Sequence, residues 1–323
     1  MKITFLGTSA GAPTRYRNNS AIAFQSRQSK HWMLFDCGEG TQHQVLRTSL
    51  SLHKLNQIFI SHLHGDHLYG LPGLLASCAL TGRRQAIEIF GPKGIQAFLK
   101  TTFNISQLHL GFDLKVTELM EKEDTFLFDD HTVRVFPVSH NVTSFAFIIQ
   151  ETKKYGPFNF QKAKALGIPE GPLYGKLARQ ESITLPDGRV FNGVDFIGSP
   201  HKKRKIIICG DNDNPDLLLP SLEDCELLVH EATYTQKTYN NLDRKFRHST
   251  ALAVGIVSEI AQIPNLILTH ISPRYKNKTQ TGRNAITEIE DEIKSVYTGK
   301  WFVAEDYQQY LIDHDGDVCL FHG

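Results

Sequence analysis

The chain has no CxxC pair. Its five cysteines, Cys37, Cys78, Cys209, Cys225 and Cys319, are odd in number and scattered. Neither a disulfide framework nor a thiolate zinc site is suggested, so they read as small apolar residues of the core. No apolar run approaches the roughly 18 residues of a membrane span, and the start, MKITFLGTSAG, lacks a long apolar stretch ending in a cleavage site. A cytoplasmic protein with no membrane partner is the expectation. An excess of one charge is missing too: 35 Lys and Arg face 34 Asp and Glu, a net charge of +1. That balance neither supports nor excludes a nucleic-acid partner, because a local basic patch acts within a neutral whole. Internal repeats and low-complexity tracts are absent as well.

What is present is enough apolar material for a substantial core: 41% of 323 residues. Short Ile-, Val- and Phe-rich runs recur as ITFLG, AIAF, WMLFDCG, IFISH, IEIFG, TVRVFPVSH, SFAFIIQ, KIIICGD, LLVHEA, LILTHIS and WFVAED. Bounded by Gly or polar clusters, they read as strands. Helical patterns lie between several of them, at 66–82, 94–102, 250–261 and 284–297. Ser249, in HST, is a candidate N-cap for the third. Strands alternating with helices argue an α/β protein whose sheet faces are covered. From 151 to about 192 the rhythm fails: Gly, Pro and Lys abound with little core patterning, as in an insertion projecting from a single domain spanning 1–323. The alternative is a long unstructured loop.

The stretch ISHLHGDHLYG follows an apolar strand and crowds His62, His64, Asp66 and His67 into six positions. His62 and His64, two apart on extended chain, present imidazoles to the same side, while Asp66 and His67 begin a helix. Four ligand-type residues in HxHxDH point to a metal site, where a lone histidine would not. His140 ends VRVFPVSH, Asp211 ends KIIICGD and His270 ends LILTH. Each thus lies at the carboxyl end of an apolar strand, where open α/β sheets place their sites.

With these residues in view, the chain resembles the metallo-β-lactamase fold and, within it, the short form of ribonuclease Z. The narrower resemblance rests on FLGTSAGAPT, FDCGEGTQ, GDHLYGLPGLL, GPLYGKL, HEATY, HST and LTHISPRY, in this order and spacing. It implies a four-layered αββα sandwich and two metal ions per subunit, with zinc expected and manganese an alternative. His62, His64 and His140 would hold one ion, Asp66, His67 and His270 the other, and Asp211 would bridge them. The family usually reads SGDT where this chain has CGDN, so the departures at Cys209 and Asn212 bear on the hydrogen bonds behind the bridge.

The resemblance further implies an endoribonuclease that removes 3′ trailers from precursor tRNA, leaving a 3′-hydroxyl on the tRNA. His248, held by Glu231, would protonate the departing oxygen, and Asp66 would accept a proton from the attacking water. GPLYGKL resembles the tip of an arm that grips tRNA for the partner subunit's site, implying a homodimer. Lys153, Lys154, Lys162, Lys164, Lys176 and Arg179 are its candidate RNA contacts, and its aromatics pack on RNA or on the insertion itself. Arg15 and Arg17, in PTRYRN, resemble a loop that senses the tRNA 3′ end. HKKRK, at 201–205, offers no more than a phosphate contact. Two other readings stand beside this one: a hydrolase of small phosphodiesters or sulfate esters, which needs no remote basic clamp, and a catalytically silent RNA-binding module, which would have no need of seven filled ligand positions.

Overall fold

Two twisted sheets are assembled from the strand runs. The computed structural model describes residues 1–323 except 27–28, 153–155, 157, 199–202, 245, 277–283 and 322–323. The first sheet runs, edge to edge, Val318–Phe321, Gln309–Ile312, Lys2–Gly7, Ala21–Gln25, Trp32–Phe35, Leu55–Phe59, Ile87–Pro92 and Leu114–Leu119. The second runs Lys300–Val303, Asn265–Thr269, Leu227–Glu231, Lys205–Cys209, Ser144–Glu151, His131–Val138 and Asp124–Leu127. Each sheet holds a block of four parallel strands. Parallel neighbours need crossovers, and the helices Thr41–Val45, Leu71–Leu80, Ile95–Ser106, Ala251–Ile260 and Thr287–Val296 lie within them.

Alternation along the strands separates three apolar layers. On Lys205–Cys209, Ile206 and Ile208 face the other sheet, where they join Phe35, Phe59, Phe90 and Phe147. Ile207 and Cys209 face outward onto Val254, Val257, Ile289 and Ile293 of two covering helices. Leu71, Leu74, Leu75 and Cys78 cover the first sheet over Leu34, Ile58 and Ile89. Helix, sheet, sheet, helix is therefore the order of layers, and each buried Leu, Ile or Phe contributes about 1.5–3 kcal/mol. Four of the five cysteines are buried as expected, and Cys319 is exposed.

Local departures from the sequence reading have physical causes. The helix expected at 66–82 is two, Gly65–Leu68 and Leu71–Leu80. The break falls at Gly70, whose amide donates to the Cys37 carbonyl and where a Cβ would stand 2.0 Å from the Gly38 oxygen. Thr250, not Ser249, caps Ala251–Ile260, its hydroxyl accepting from the Ala253 amide. Ser249 Oγ instead donates to the Asn212 carbonyl, 2.6 Å away. Of the strands absent from the sequence reading, Leu114–Leu119, Asp124–Leu127 and Val318–Phe321 are edges, while Gln309–Ile312 pairs on both sides. An edge strand has one neighbour and more polar residues, so its apolar signal is diluted.

Residues 151–204 form a second compact unit, separate from 1–150 with 205–323. It runs past the expected end at 192 because Phe196, in the turn Gly193–Phe196, is buried against Phe158 and Phe191. Ala163, Ile168, Leu177, Ile183 and Leu185 complete a small core. The segment is thus folded, with two short helices, Phe160–Ala165 and Pro172–Ala178, and a two-stranded ribbon. Among the described residues no helix is long and apolar enough to cross a membrane.

Candidate metal centre

All seven side chains expected as ligands meet close beyond the strand ends Phe59, Val138, Cys209 and Thr269. His62 Nε2 lies 3.1 Å from His64 Nδ1, and His140 Nε2 lies 3.2 Å from that same atom. On the other side His67 Nε2 and His270 Nε2 are 3.1 Å apart, and Asp66 Oδ2 stands 3.5 and 3.3 Å from them. Zinc–nitrogen bonds of about 2.0–2.1 Å at tetrahedral angles hold donors roughly 3.3 Å apart. The donor spacings on both sides therefore fit a small divalent cation.

Asp211 faces both groups. Its Oδ2 is 3.6 Å from His62 Nε2 and 3.8 Å from His140 Nε2, while its Oδ1 is 3.3 Å from His67 Nε2 and 3.4 Å from His270 Nε2. One carboxylate thus offers an oxygen to each set. Gly210 makes this approach possible, since a Cβ there would lie 2.4 Å from the Ser61 Cβ.

Electrostatics agree with the geometry. Burial, reinforced by the His67, His140 and His64 rings, pushes His62 far below its ordinary value, and burial also lowers His64 and His140. Lowered basicity favours the neutral imidazole, the form that binds metal. Burial opposes charge on His67 too, but Asp211, Asp36 and Asp66 outweigh it and raise that group well above its usual range. That side of the pocket favours positive charge.

A second set of residues aims the first, and the sequence reading passed over most of it. Asp36 accepts from the Ser61 amide at 2.7 Å, from Ser61 Oγ at 2.9 Å and from His67 Nδ1 at 2.7 Å, turning His67 Nε2 inward. Such partners fix ring orientation and tautomer. Asp36 and His270 both adopt left-handed backbone, φ 59° and 53°, an uncommon conformation that sharply turns the chain at a strand end. Thr233 Oγ1 donates to Glu231 and lies 3.1 Å from His270 Nδ1. Asp36 in FDCGEG and Thr233 in HEATY carry only a weak sequence signal, a polar residue just past an apolar strand.

His248 stands beside the cluster, its Nδ1 2.9 Å from Glu231 Oε2 and 3.6 Å from Asp211 Oδ2. Burial would lower its basicity, but the Glu231 carboxylate outweighs this and lifts it to about 9. Burial raises Glu231 in turn, yet His248 dominates and brings that carboxyl down to about 2. Asn212, one of the departures from the family pattern, is fully bonded: its amide donates to Glu231 Oε1, its Oδ1 accepts from the Ser139 and Asn214 amides, and its Nδ2 lies 3.1 Å from His230 Nε2. Cys209 is buried against it, with its thiol pushed up by burial.

The candidate RNA contacts divide. Arg15 is exposed, while Arg17 turns inward, donating to Thr8 Oγ1 at 2.8 Å and to the Ala304 carbonyl. Arg17 therefore anchors its loop, whose Gly11 amide reaches Asp66 Oδ2 at 2.7 Å. In the second unit Lys176 is exposed, Arg179 pairs with Glu181, and Lys162 donates to the Asp195 carbonyl. Lys164 lies over the Phe160 ring. Phe158 and Tyr174 pack on each other within the unit. Lys153 and Lys154, with 201–202 of the basic run, lie outside the described residues.

Comparison with solved structures places this architecture among metallo-β-lactamase-fold proteins. The protein YhfI of Bacillus subtilis, described by that fold, superposes with TM-score 0.64 at 18% identity, covering 95% of this chain and 97% of that one. The short form of human tRNase Z superposes with TM-score 0.67 at 26% identity, covering 97% and 100%. A family model described as anti-Pycsar protein Apyc1 matches residues 1–157. Ribonuclease Z of Pseudomonas putida strain GB-1 is 41% identical over 323 residues, 99% of each chain. That of Trichodesmium erythraeum is 44% identical over 276 residues, 85% of each. The chain belongs to the ribonuclease Z family, endoribonucleases built on the metallo-β-lactamase fold.

Proposed function

We propose that the protein cleaves 3′ trailers from precursor tRNA, using two zinc ions per subunit, and works as a homodimer in the cytoplasm; manganese is the alternative metal. The observation that carries the metal chemistry is Asp211, one oxygen turned to His62 and His140 and the other to His67 and His270. His62, His64 and His140 would hold one ion and Asp66, His67 and His270 the other. Bound metal supplies a water whose pKa falls from 15.7 to about 7, roughly 12 kcal/mol of proton affinity, and neutralises charge on the phosphate.

The chain's own residues do the rest. Asp66, whose Oδ2 accepts from the Gly11 amide, would accept the proton of the attacking water. Water adds to phosphorus, and the bond from phosphorus to the tRNA 3′-oxygen breaks. His248, fixed through Nδ1 on Glu231, delivers a proton from Nε2 to that leaving oxygen. Products are a 3′-hydroxyl on the tRNA and a 5′-phosphate on the trailer. A positioned acid contributes about 100- to 10,000-fold. Exposed Lys176 and Arg15 are candidate phosphate contacts, with Lys153 and Lys154 added from sequence.

The test is direct: incubate the purified protein with a trailer-bearing precursor tRNA and map the cut, with and without chelator. A cut at the trailer junction, lost on chelation and restored by zinc, supports the reading. A chelator-resistant cut, or hydrolysis only of small esters, would overturn it.

A further inference from the structure

His248 lies on a stretch, residues 241–249, that contains no regular element among its described residues. Something must hold the proposed proton donor still, because proton transfer depends on tenths of an ångström. The residue before it is built for that. Arg247 Nε and Nη2 donate to the two carboxylate oxygens of Asp213, at 2.6 and 3.3 Å. Its Nη1 donates to the His140 carbonyl at 2.8 Å and its Nη2 also to Ser139 Oγ. In return its own carbonyl accepts from His140 Nδ1 at 2.8 Å.

Three segments are thereby tied together: 139–140, 211–213 and 247–248. The Asp213 amide closes the ring by donating to the Ser139 carbonyl at 2.9 Å. The result sets the His248 ring 5.3 Å from the His140 ring, centroid to centroid. The guanidinium is no spare phosphate hook, because four donations go to protein groups and the Asp213 carboxylate neutralises its charge. A bidentate fork also fixes orientation where a lysine would supply only charge.

We infer that Arg247 is a positioning residue for the cleavage reaction, holding His248 over the leaving oxygen by clamping its backbone to the His140 and Asp213 segments. This rests on the reading of His248 as proton donor, so His248→Ala serves as reference. For Arg247→Ala the expected loss in kcat on precursor tRNA is about 10- to 100-fold, with KM within roughly twofold and metal content unchanged. A nitrophenyl phosphodiester, whose leaving group needs little protonation, loses less than about threefold. Arg247→Lys, which keeps charge without the fork, falls between.

The double variant Arg247→Ala/His248→Ala decides the matter. Since Arg247 acts through His248, it should be no more than about twofold slower than His248→Ala alone. Additive losses, loss of metal, or a raised KM with a flatter salt dependence would each overturn the proposal, the last making Arg247 a phosphate contact. If His248→Ala slowed both substrates equally, the donor reading itself would fail and this one with it. If only His248→Ala discriminated between the substrates, the failure would belong to Arg247 alone.

Discussion

The catalytic body and the inserted unit solve opposite problems with charge. Between 151 and 204 ten Lys or Arg face five Asp or Glu, leaving the rest of the chain net −4 within a total of +1. In the body the charges that matter are buried, and each is held by several partners, as Asp36 is by Ser61 and His67. In the inserted unit the assigned cations among the described residues are exposed, paired at the surface, or laid over rings. Buried charge fixes geometry for chemistry. Exposed charge attracts a polyanion without fixing anything. The comparison teaches that the two regions should fail differently.

The largest failure should follow Asp211→Ala, which removes the one carboxylate facing both ligand sets. Turnover should fall by at least about 1,000-fold, since several kcal/mol of charge stabilisation would depend on the proposed pair of cations. Metal per chain, measured by mass spectrometry, should fall with it. Two metals retained at near-parental turnover would remove Asp211 from the site.

Replacing residues 153–203 by a Gly/Ser linker is the reverse test, since every assigned ligand lies outside them. Metal content and hydrolysis of a small phosphodiester should persist. Precursor tRNA binding should weaken on the order of 100-fold, the worth of two charge-assisted contacts at about 1.5 kcal/mol each. Each lost phosphate contact should also remove about 0.7–0.9 units from the slope of log affinity against log salt. Parental processing at physiological salt would make the unit ordinary surface and erase the contrast.

Asp36→Asn sharpens the contrast within the body. Asp36 touches His67 through Nδ1 and stands behind it, so its loss should weaken metal affinity by about 10- to 100-fold while leaving tRNA binding unchanged. A competition titration against a chelator of known affinity reads the first, and filter binding reads the second. Unchanged metal affinity would show that His67 is oriented by packing alone.

What could be read from the chain follows the same division. The seven residues that meet in the cluster were legible because metal binding demands particular residue types, and strand ends place them where apolar runs stop. Asp36 and Thr233 were not singled out, since hydrogen bonding behind a ligand admits many residue types and leaves no spacing to recognise. The small core around Phe196 escaped notice because a unit of 54 residues gathers Ile168, Leu177 and Ile183 from turns and short helices rather than one periodic element. Arg17 reads as an RNA contact by its motif, while its Nη1 turns inward to Thr8 Oγ1 and the Ala304 carbonyl. A charge in a sequence says nothing of which way it turns.

The smallest effect separates two adjacent hydroxyls. Thr250 caps Ala251–Ile260 by accepting from the Ala253 amide and donates to Gln236 Oε1, contacts remote in kind from the ligands. Ser249 donates to the carbonyl of Asn212, whose amide bonds Glu231 beside His248. Thr250→Ala should therefore cost about 1 kcal/mol of stability, a melting shift of roughly 2–4 °C, and leave turnover below the transition intact. Ser249→Ala should shift melting no more than this but lower turnover on precursor tRNA by several-fold, because Asn212 and Glu231 lose a tether. Thermal melts run beside single-turnover cleavage distinguish them. Equal losses of turnover would mean that the helix start, rather than the Ser249 hydroxyl, registers His248 against Glu231, and the division between stabilising and aiming contacts would not hold at this end of the site.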